Sequence, residues 1–115
     1  MDAETLPSLD GRRFAALTDT VGGDVGADTV FDYQEADGVV WAAYSGGAVL
    51  RGFLVGTREA DTVCFRYTQI NRDRETSSGR CVSQLSRSED GRLRLHETWS
   101  WESKSGSGTS LVVEL

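Results

Sequence analysis

From Arg12 to the C-terminus the chain divides into eight short strand-like runs, with turn residues between nearly all neighbours and no stretch of helical periodicity. That pattern narrows the possible folds more than any other feature. Eight antiparallel strands in sequence order make a small closed barrel, whose interior holds side chains or one small ligand. The expected class is all-β, an eight-stranded antiparallel up-and-down β-barrel.

The runs cover about 12–18, 28–35, 39–45, 48–55, 62–70, 79–85, 92–101 and 109–114. Asp37-Gly38 and Asp90-Gly91 are hairpin signals, and Gly46-Gly47 turns the third run into the fourth. Residues 71–78 form a polar loop and Ser103–Gly108 another. Short connections favour a meander, and pairing the last strand with the first removes both exposed edges. Residues 1–10 are expected to be a flexible N-terminal arm and 11–115 a single barrel domain.

The net charge of −6 argues against nucleic acid or an anionic membrane as partner, because both repel an acidic protein at long range. No apolar run reaches the ~20 residues that span a bilayer. The start, Met1 to Ser8, is acidic and lacks the basic and apolar segments of a secretion signal, so a cytoplasmic location is expected. Cys64 and Cys81 are then expected to be free thiols, with a cross-strand disulfide as the alternative, since they lie on strands expected to be neighbours.

Alternation along each run assigns the faces. In the seventh, Leu93, Leu95, Glu97, Trp99 and Trp101 share one side and must point inward; in the fifth, Val63, Phe65, Tyr67 and Gln69 do. A two-residue turn at Asp37-Gly38 pairs Tyr33 with Ala42 and Phe31 with Tyr44, which brings all three tyrosines inside. The fourth run is ambiguous. A two-residue turn at Gly46-Gly47 places Val49, Arg51, Phe53 and Val55 inside. A three-residue turn from Ser45 places Ala48, Leu50, Gly52 and Leu54 there instead, and is preferred because Arg51 stays in water. Trp41, Val49, Phe53 and Val55 then form an outer apolar patch, the mark of a contact surface, and a two-fold homodimer is expected through it.

Glu97 is the leading candidate for chemistry. A carboxylate between Leu95 and Trp99 on an inward face must find partners or hold its proton. Tyr33, Tyr44, Tyr67, Gln69, Glu97 and Trp99 together describe a polar anchor in an aromatic-walled pocket, the usual construction of a small-molecule site. The same residues could instead form a satisfied core network. His96, the single histidine, neighbours Glu97 and so faces the other way, which removes an acid–base pair and a serine triad. Two cysteines and one histidine lack the close spacing of a zinc site. The glycine pairs do not open helices and are turn chemistry, not phosphate loops. No catalytic residue, metal or cofactor is assigned.

Tyr44-Ser-Gly-Gly47 with Gly52, Arg66-Tyr67 with Asn71, Gly79-Arg-Cys81-Val-Ser83, and Leu93-Arg-Leu-His-Glu97-Thr-Trp99-Ser-Trp101 resemble a family of small bacterial proteins. The likeness runs from about Gly11 to Glu114. It implies an avidin-like, lipocalin-related barrel. Many members carry the label N-acetylglutamate synthase, which implies acetyl transfer as one activity. Gly11-Arg-Arg-Phe14 echoes only loosely the glycine–tryptophan first strand of avidin and lipocalins themselves, so the resemblance does not extend to biotin. A small-molecule-binding barrel is the leading reading, ahead of a filled structural or oligomerisation module and of an enzyme.

Overall fold

The computed structural model describes residues 6–17 and 22–115. Eight strands follow one another: β1 (Arg13–Ala16), β2 (Val30–Ala36), β3 (Val39–Gly46), β4 (Val49–Glu59), β5 (Thr62–Asn71), β6 (Thr76–Arg87), β7 (Leu93–Trp101) and β8 (Ser107–Glu114). Each pairs antiparallel with the next, and β8 pairs with β1 to close the barrel. No helix occurs among the described residues.

The turns follow from their residues. Asp37 and Gly38 both take positive φ, as a tight hairpin of this kind requires, and the resulting register pairs Tyr33 with Ala42 and Phe31 with Tyr44 as expected. The loop expected over 71–78 is shorter. The Asn71 side chain accepts from the backbone N–H groups of Asp73 and Glu75 at 3.0 Å, so the chain reverses within a few residues and β6 starts already at Thr76.

The β3–β4 connection departs from both turns considered. Gly46 pairs with Val49, but Tyr44 pairs with Gly52, so β4 carries one extra residue near Leu50. The bulge changes the inward phase. Val49 points inward at the strand's start, 1% exposed, and Gly52 and Leu54 do so beyond it. Ala48 is exposed. Val49 therefore leaves the outer patch assigned to it and belongs to the core. Arg51, Phe53 and Val55 face outward as expected.

The first ten residues are not loose throughout. Residues 6–10 pack across the barrel end that holds the β2–β3 and β4–β5 turns, and Leu9 is fully buried. Its N–H donates to Glu35 Oε1 at 2.9 Å, while Arg58 donates to Glu35 and to the carbonyls of Leu6 and Pro7. An apolar side chain that stops one end of the core is worth ordering this short segment. Residues 1–5 lie outside the described residues.

Candidate binding cavity

The upper half of the barrel is built by placing rings opposite glycines. Tyr44 pairs with Gly52, Tyr67 with Gly79 and Trp99 with Gly108 across neighbouring strands. A Cβ at any of the three glycines would strike the facing ring. Phe31 stacks on Tyr44 with centroids 4.6 Å apart, and Trp101 meets Tyr67 and Trp99 edge to face. Large faces small around the wall, and a cavity of about 50 Å³ remains between the rings. It has room for a few waters or a group of a few heavy atoms.

Glu97 stands at the floor of this cavity. Ser83 on β6 and Ser110 on β8 lie directly across from it, so a serine flanks the carboxylate on each side. Ser110 Oγ donates to Glu97 Oε1 at 2.9 Å. Burial pushes the carboxyl up to about 7, against the lowering effect of the two serine hydroxyls. Glu97 makes no ion pair with any described residue. The phenols of Tyr33, Tyr44 and Tyr67 and the Cys81 thiol surround it, and burial raises all four.

A second polar line crosses the mouth. Tyr44 donates to Gln69 Oε1 at 2.9 Å, and Gln69 Nε2 donates to Asp24 Oδ2 at 3.1 Å. Asp24 belongs to the loop between β1 and β2. The same loop accepts at the Gly22 carbonyl from Trp101 Nε1, 3.2 Å away. These contacts draw residues 22–25 over the opening, and Gly23, Asp24 and Val25 become part of the lining.

All six residues expected inside the barrel do point there. Tyr44, Tyr67, Gln69, Glu97 and Trp99 line the cavity together. Tyr33 is fully buried but is not among the lining residues; it packs edge-on to Phe14 at 5.3 Å. Its hydroxyl and the indole N–H of Trp99 have no hydrogen-bond partner among the described residues. His96 is exposed on the opposite face from Glu97, and Cys64 and Cys81 are unpaired, one outside and one inside. Asp24, Ser83, Ser110 and Trp101 belong to the site as well. The serines share Glu97's cross-strand row, a signal that needs the register of β6, β7 and β8 before it can be read. Asp24 sits in a loop, where no periodicity marks orientation.

On the outside, Trp41 pairs with Val55 and Ala43 with Phe53, leaving Trp41, Phe53 and Val55 together at 41%, 56% and 59% exposure. Val39 and Val82 are exposed nearby in the same sheet.

No curated protein and no solved structure matches the chain. The family model described as avidin-like protein matches residues 7–115. With a closed eight-stranded meander and a match over nearly its whole length, the chain belongs to the avidin-like protein family.

Proposed function

We propose that this protein is a small-molecule-binding barrel whose ligand sits among Tyr44, Tyr67, Gln69, Glu97 and Trp99. The observation that carries this reading is a buried carboxyl that lines an aromatic-walled cavity and has no cationic partner among the described residues. A purely structural core has no use for such a group, since an apolar residue of similar size would fill the place at lower cost. Membership of a barrel family supports the reading at the level of class. Acetyl transfer to glutamate has no comparable support. Both glutamate and acetyl-CoA are anions, and among the described lining residues none is Lys, Arg or His.

The test is a cavity-filling substitution. Leu54 lines the cavity and is 3% exposed, so Leu54→Phe occupies the space from within. Wild-type protein incubated with fractions of a bacterial metabolite extract should gain thermal stability from at least one fraction, and mass spectrometry of the captured material should show a small molecule. Leu54→Phe should not respond to that fraction. If both proteins behave alike with every fraction, the barrel is a filled structural module.

The reading includes self-association through the outer face of β3 and β4, with a second copy of this chain covering Trp41, Phe53 and Val55. Their shared exposure in adjacent cross-strand pairs supports it. It also includes a reducing, cytoplasmic setting, in keeping with two unpaired cysteines.

A further inference from the structure

The charge of the cavity is one-sided. Among the described lining residues the carboxyls are Glu97 and Asp24, and none is Lys, Arg or His. The other titratable groups facing Glu97 are the phenols of Tyr33, Tyr44 and Tyr67 and the thiol of Cys81, all kept neutral by burial. Asp24 spends one oxygen on Gln69 at the mouth, and among the described residues Glu97 accepts from Ser110 and Ser83. An ionised Glu97 is therefore left without a counter-charge in a low-dielectric pocket, a costly arrangement unless something brings one.

The walls are suited to bring one. Phe31, Tyr44, Tyr67 and Trp99 line the cavity beside Trp101, whose ring already carries Lys104 Nζ 4.6 Å from its centroid, and aromatic faces attract cations that have left water. Trp99 Nε1, on a cavity-lining residue 7% exposed, has no hydrogen-bond partner among the described residues, so this buried donor is open to a ligand. The overall charge of −6 favours the approach of a cation over that of an anion.

We infer that the cavity selects a small ligand with a compact cationic head, an ammonium or guanidinium-like group of a few heavy atoms, which pairs with Glu97 between the aromatic walls. The inference rests on the binding reading above and adds the chemical class. Glu97 must be ionised to pair, so binding a permanent cation releases its proton, and affinity rises with pH through the titration of the empty site.

Three planar probes of similar size carry charges of +1, 0 and −1: methylguanidinium, N-methylurea and acetate. Each is titrated into the full-length protein labelled with nitrogen-15 at the tryptophan indoles. Methylguanidinium should shift the Trp99 indole signal saturably and bind at least about tenfold more tightly than N-methylurea, with acetate weaker still. With Glu97 titrating at about 7, its affinity should rise roughly thirtyfold between about pH 5.5 and 8.5. Glu97→Gln should abolish that rise and the preference for charge. Should that variant not fold, the charge series and pH profile of the wild type decide the matter alone. Equal or tighter binding of N-methylurea or acetate, or an affinity that falls as pH rises, overturns the cationic class while leaving a binding cavity. If none of the three moves the Trp99 signal, the cationic class falls, and the metabolite fractions tested on wild type and Leu54→Phe decide the binding reading separately.

Discussion

At the scale of single residues the protein turns on Glu97. Its neighbours are two serines and a ring of groups that cannot carry positive charge. Because the folded-state pKa of about 7 lies above that of an ordinary glutamate, the folded protein holds this proton more tightly than the unfolded chain does. Stability from this group is fully present below the unfolded pKa and is lost as pH rises toward 7. Glu97→Gln keeps acceptor and shape without the charge. Urea unfolding at about pH 5 and pH 8 should show the wild type losing roughly 2–3 kcal/mol relative to the variant. A gap that stays constant across that range would mean that Glu97 ionises freely in the folded protein. The residue itself was legible, because strict alternation from Leu93 to Trp101 leaves it no outward choice. Its serine partners were not, since they depend on the register of three strands joined by loops of unfixed length.

At the scale of elements, alternation and turn chemistry carried most of the fold. Asp37-Gly38 fixed the β2–β3 register residue by residue, and with it the inward tyrosines. Where the turn residues allowed two solutions the reading failed in part. Glycines at 46 and 47 permit several turns, and nothing in Ala48-Val-Leu-Arg51 marks a bulge, yet the bulge alone lets Val49 and Gly52 both face inward. Segments outside the strands were the least legible. The arm around Leu9 has no period to betray that it is buried, and the anchor holding it, Arg58 with Glu35, joins residues far apart in sequence. Asp24 was missed for the same reason. Its role at the mouth comes from where β5 delivers Gln69, not from any pattern in the β1–β2 loop.

At the scale of the whole molecule, the barrel has an aromatic-walled inside that holds Glu97 and an outside with one apolar face. The outer face gives a prediction of its own. Phe53→Asp puts a charge at the centre of the exposed patch without touching the core, so, on the proposed self-association, sedimentation should find a dimer for the wild type and a monomer for the variant at the same concentration. Two species of identical size would remove β3 and β4 from any interface. The inner face rests on closure: only because β8 returns to β1 is there a lumen that buries Glu97 away from bulk solvent. That claim is open to one direct measurement, the pH titration of the Glu97 side-chain carboxyl carbon by NMR in the ligand-free protein. The expected midpoint is about 7. A midpoint at the ordinary glutamate value of about 4.3 would place that carboxylate in water and contradict it.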